Sequence, residues 1–157
     1  LGGGMSSRLF QEIREKRGLV YSIYASSPSF SDTGTFQVVA GTGAEEIKEL
    51  LPVLCDELAN APKNLTEKEI EKSKTQLKTS ILMSKESTMS NAANSVHQIS
   101  TFGKLIEVNE IIDKIDNVNK NLIEKIANKI ISSKPTISSI GPIKQLESLE
   151  KIEKRLN

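Results

Sequence analysis

The chain has 157 residues, 37% of them hydrophobic and 26% charged, with a net charge of +1. That is the make-up of an ordinary globular domain with enough chain to bury a core. A near-neutral total supplies no general field for nucleic acid or an anionic membrane, and no apolar run approaches the roughly 18 residues a bilayer crossing needs.

The first residues are Leu1-Gly2-Gly3-Gly4, with neither an initiator Met nor a leader. Three glycines carry the largest ordering entropy, so this start reads as a point partway along a longer protein. Residues 6–16 read as a helix with Leu9, Phe10 and Ile13 on one face and Ser6 or Ser7 as N-cap. Gly18 breaks it. Residues 20–27 are rich in β-branched and aromatic side chains, Ser31-Asp32-Thr33-Gly34 is a turn signal, and residues 35–40 form a second strand. These two strands are expected to pair as an antiparallel hairpin.

From Gly43 the apolar period switches to 3.6. Ile47, Leu50, Leu51, Leu54 and Leu58 form a stripe, with Pro52 expected to kink the helix. Thr66-Glu67-Lys68-Glu69 is a capping box that opens a long polar helix to about residue 85. Ala92, Val96 and Ile99 mark the next helix, which Gly103 stops. Helices around Val108–Ile115 spacing and around Leu122, Ile126 and Ile130 follow. Residues 136–140 read as a strand, Gly141-Pro142 as a turn, and Ile143, Leu146, Leu149 and Ile152 as a last amphipathic helix. The order of elements predicts an α+β fold with an antiparallel sheet, in one domain spanning residues 1–157. So thin a sheet is expected to take further strands from upstream residues.

Most catalytic chemistries fail on these residues. His97 is the single histidine, so a zinc site with two histidines one helical turn apart cannot be built from this chain. Asp32-Thr33-Gly34 matches the aspartic-protease triplet, but Phe30-Ser31 precedes it and turns use the same residues. Gly41-Thr42-Gly43 lacks the third glycine of a dinucleotide loop, having Glu46 there, and reads as a helix entry. Cys55 lies alone on an apolar stripe, which describes a small buried hydrophobe; a lone cysteine fits a reducing compartment, here read as cytoplasm with the periplasm as the alternative.

The amino-terminal stretch remains. Gly2, Gly3 and Gly4 lead into a helix start, where free backbone N–H groups could meet a peptide or an anion. Arg14 lies near the end of that helix and Tyr21 on the next strand, with Gly18 between. A guanidinium offers forked donors and a phenol one O–H, and both suit a peptide carbonyl or a developing oxyanion. On chemistry alone, a surface Arg and a core Tyr stand beside that reading.

Leu1 through Tyr21 resembles the carboxy-terminal domain of zinc peptidases of the M16 (pitrilysin and mitochondrial-processing-peptidase) family, M16B type. There a glycine-rich turn precedes S-R-L-F-x-x-[IV]-R-E-x-x-G-L-x-Y, a strand and a D-[TS]-G hairpin, the place Asp32-Thr33-Gly34 takes here. The resemblance implies a sheet with helices on one side, and two such domains per polypeptide closing like a clam shell. It implies zinc in the full-length protein, bound through an H-x-x-E-H motif that this chain lacks, and none bound by this chain. By resemblance Arg14 orients a peptide substrate, Tyr21 hydrogen-bonds the scissile carbonyl, and Gly2, Gly3 and Gly4 match a substrate-binding loop. The partners implied are a peptide and an upstream zinc-bearing domain or partner subunit, in a homo- or heterodimer. The alternative is a noncatalytic relative that binds peptide without a zinc site. The excess of Lys over Arg and the richness in Ile fit an AT-rich bacterial source.

Overall fold

The computed structural model describes residues 1–156. A π-helix, Phe10–Glu15, is followed by strands β1 (Ser22–Ser26) and β2 (Gln37–Gly41). Helices α1 (Ile47–Asn60), α2 (Glu67–Ser84), α3 (Thr88–Phe102), α4 (Val108–Asp116), α5 (Lys120–Ile131) and α6 (Leu149–Leu156) complete the chain. The fold is α+β, with one antiparallel two-stranded sheet among the described residues. By their internal contacts the residues fall into two compact units, one of residues 1–64 with 124 onward, the other of 65–123.

In the first unit the core is Leu9, Ile13, Leu19, Val20, Ile23 and Leu50, with Phe10, Val38, Val53 and Leu54 packed against it. Burying a side chain of this size contributes about 1.5–3 kcal/mol. Leu9 and Ile13 have no exposed surface, which fixes which side of the first helix faces inward. That helix is wound as π rather than α: the Lys16 N–H donates to the Gln11 carbonyl at 3.0 Å, five residues back. No side chain caps its start, and the buried Ser7 hydroxyl has no hydrogen-bond partner, so Ser7 is not the expected N-cap. Gly18, with φ at +63°, turns the chain out of the helix in a conformation that favours glycine.

β1 and β2 pair in the register Ile23↔Ala40, Tyr24↔Val39, Ala25↔Val38. Ile23 is buried, whereas Tyr24 and Val39 form an exposed cross-strand pair on the other face. The turn between the strands is closed by Phe30 N–H donating to the Thr33 carbonyl at 2.7 Å and Thr35 N–H to the Pro28 carbonyl at 3.0 Å. Asp32-Thr33-Gly34 is thus part of a hairpin turn. α1 packs on α6, with Cys55 and Ile152 buried between them. Arg155 grips Glu147 through two bonds, at 3.0 and 3.1 Å.

The expected strand at residues 136–140 does not form, and Ile140 is fully exposed. Its apolar residues, Ile137 and Ile140, are three apart, so they cannot share the inward face of a strand whose side chains alternate. The last helix also starts later than its periodicity predicts, at Leu149.

The second unit is helical. The Thr66 hydroxyl accepts from Glu69 N–H at 3.3 Å while the Glu69 carboxylate accepts from Thr66 N–H at 3.0 Å, the capping box read from the sequence. Ser87 caps α3, and Gly103, at φ +69°, ends it. α2 packs on α4, where Lys78 pairs with Asp116 at 2.7 Å. Ile70 is the one buried residue of this unit among those described.

Candidate functional site

Arg14 and Tyr21 both belong to the first unit, at either end of a segment anchored in its core. Between them Gly18 N–H donates to the Arg14 carbonyl and Leu19 N–H to the Ile13 carbonyl, both at 3.0 Å. The second bond spans six residues, one more than an ordinary glycine-capped α-helix end uses, as the π winding requires. Beyond it the Tyr21 N–H donates to the Gly41 carbonyl at 2.7 Å, and the Thr42 hydroxyl to the Leu19 carbonyl at 2.6 Å. The backbone on both sides of the excursion is therefore held.

The side chains are not. Tyr21 is 79% exposed, which rules out a core tyrosine. Arg14 is also exposed, and its guanidinium carbon lies 4.8 Å from the centroid of the Phe10 ring. Neither the guanidinium nor the phenol makes a hydrogen bond or ion pair with any described residue. The nearby acid is taken: Glu12 binds Lys16 and Arg17, and the Lys16 hydrogen bond, with that from Arg17, holds its carboxyl below the usual range. On α1, burial and then the Glu12 charge push the Glu57 carboxyl up. A guanidinium and a phenol seven residues apart, both exposed on a held backbone, are each suited to donating to a carbonyl oxygen.

The glycines divide. Gly2 is buried, its carbonyl accepts from the Ala25 N–H of β1 at 3.1 Å, and a Cβ there would lie 2.6 Å from the Ala25 nitrogen. Packing against β1 accounts for that glycine. Gly3 is exposed, with open space where its side chain would be.

Zinc does not fit these residues. Among the described residues no three His, Cys, Asp or Glu side chains come together as a metal site, and His97 is exposed on α3. Cys55 is 3% exposed, and burial pushes its thiol up to about 11, so it stays protonated and unreactive. Among the described residues no helix is long and apolar enough to cross a membrane. The Phe10–Arg14 contact escaped the sequence reading, although an aromatic four residues before an Arg on one helix was its available signal.

Residues 1–77 match the family model described as the peptidase M16 inactive domain. An uncharacterized zinc protease of Rickettsia felis is 38% identical over 90% of this chain and 34% of its own length. Another of Bacillus subtilis is 36% identical over 90% of this chain and 35% of its own. The chain thus spans about a third of the length of the curated relatives it matches. A crystal structure of a peptidase M16 inactive domain from Pseudomonas fluorescens superposes with a TM-score of 0.69 at 26% identity, covering 82% of this chain and 31% of that one. By the family model over residues 1–77 and relatives 36–38% identical over 90% of its length, the chain is similar to peptidases of the M16 family, its first half to their inactive domain.

Proposed function

We propose that this chain is the substrate-holding half of a zinc-dependent metalloendopeptidase acting on peptides or unfolded segments. The zinc, its ligands and the general base would come from an M16 domain or partner subunit outside these 157 residues. The observation that carries this reading is the pair of exposed, unpaired donors, Arg14 and Tyr21, at the two ends of one core-anchored segment. Arg14 orients the peptide by its forked N–H groups. Tyr21 donates its O–H to the scissile carbonyl, and that bond strengthens as charge builds on the oxygen. Gly3 and Gly4 are exposed, as a loop that meets a peptide through its backbone would be.

The test is kinetic. In the full-length peptidase, Tyr21→Phe lowers kcat on the order of 100-fold with zinc content unchanged. Wild-type turnover in that variant overturns the assignment. A noncatalytic peptide-binding subunit would instead show peptide binding that Arg14→Ala weakens, with no chelator-sensitive turnover in any assembly.

A further inference from the structure

Arg14 has no ionic or hydrogen-bonding restraint on its side chain among the described residues, yet it is not simply adrift. Its guanidinium carbon sits 4.8 Å from the Phe10 ring centroid. Phe10 is itself half-buried and packs against the core formed by Leu9, Ile13 and their neighbours. The ring is therefore a fixed platform, and the contact over it is of cation–π type.

The geometry of such a contact separates two functions of a guanidinium. Stacking on a ring uses the flat face of the group, while its five N–H donors radiate from the edge. An Arg held by a carboxylate has spent part of that edge; an Arg held by a ring has spent none. Here the competing carboxylate of Glu12 is already occupied by Lys16 and Arg17. Both Phe10 and Arg14 are on the π-wound turn whose inner residue, Ile13, is wholly buried. The Phe10 end of the contact cannot slide without disturbing the core, and Arg14 is on the same turn of helix.

We infer that Phe10 is a positioning residue, whose half-sunk ring pins the face of the Arg14 guanidinium and leaves its donor edge directed to the peptide. This rests on the reading of Arg14 as a substrate-orienting group. Arg loses much rotameric freedom on ordering, and a ring that removes part of that freedom before substrate arrives strengthens binding without touching the substrate.

Phe10→Leu keeps an apolar side chain against the core and removes the π face, whereas Phe10→Tyr keeps both. In the full-length peptidase, Phe10→Leu should raise KM about 2- to 5-fold, the range of an exposed cation–π contact, with kcat and zinc content little changed. Phe10→Tyr should restore the wild-type KM, and Phe10→Leu should have no further effect in an Arg14→Ala background. Additive effects of the two substitutions, or a Phe10→Tyr variant as impaired as Phe10→Leu, overturn the inference. A second reading does not use activity. In this 157-residue chain, the ring current of Phe10 should displace the NMR resonances of the Arg14 side chain upfield, and Phe10→Leu should abolish the displacement. Its absence in the wild type overturns the stacking itself. A wild-type KM in Arg14→Ala overturns instead the peptide-orienting role on which the inference rests.

Discussion

The N–H of Leu19 donates to the carbonyl of Ile13 at 3.0 Å, and both residues lie in the core, at 5% and 0% exposure. One bond between two buried residues thus closes the loop that carries Arg14, Lys16, Arg17 and Gly18. It ties the place of Arg14 to that of Tyr21, two residues past Leu19. The two donors are held by a buried staple and not by each other, so either can be removed without the other moving.

Tyr21→Phe should leave stability unchanged, because the side chain is largely exposed and its hydroxyl bonds to nothing described. Urea unfolding of the chain should give the wild-type midpoint within about 0.5 kcal/mol. A clear loss of stability would mean the phenol serves the fold.

Gly2→Ala should destabilise by about 1–3 kcal/mol, since the new methyl would lie 2.6 Å from a backbone nitrogen of β1, which cannot swing aside. Gly3→Ala meets nothing and should be close to neutral. Equal effects at the two positions, measured by chemical denaturation, would contradict this division of the glycines.

Thr66→Ala removes one half of the capping box and should cost about 1 kcal/mol. The loss should be confined to the second unit, read as faster amide exchange in α2 with little change in β1 and β2.

Cys55 makes stability depend on alkaline pH. The folded thiol keeps its proton to about pH 11, while the unfolded thiol releases it near its ordinary value of about 8.5. Ionisation above that value therefore favours the unfolded chain, and the advantage of wild type over Cys55→Ala should fall by about 1.4 kcal/mol per pH unit until pH 11. A difference independent of pH between 8 and 11 would sink this account. The folded protein should also resist alkylation by iodoacetamide at pH 8.

The helices were legible because their signals are local. The Thr66–Glu69 box, the Gly103 stop and the 3.6-residue stripes each lie within one or two turns, and the hairpin is announced by its own turn residues. What escaped is non-local or depends on fine winding. Residues 136–140 contain β-formers, yet a strand exists only where an edge accepts it. Five-residue hydrogen bonds in Phe10–Glu15 have no simple pattern in sequence, since Leu9 and Ile13 suit an α-helix equally well. Arg14 and Tyr21 could be named from spacing and resemblance, but not their exposure or the Phe10 ring under Arg14.

The thin burial of the second unit has a consequence for how the molecule yields. Ile70 alone is sheltered there, whereas the first unit gathers its apolar residues around Leu9 and Ile13. Opening free energy follows burial, so α2 to α4 should exchange amide protons and admit proteases well before β1 and the π-helix do. Partial denaturation would then reach the helices first, and the backbone bearing Arg14 and Tyr21 would be the last to lose its shape.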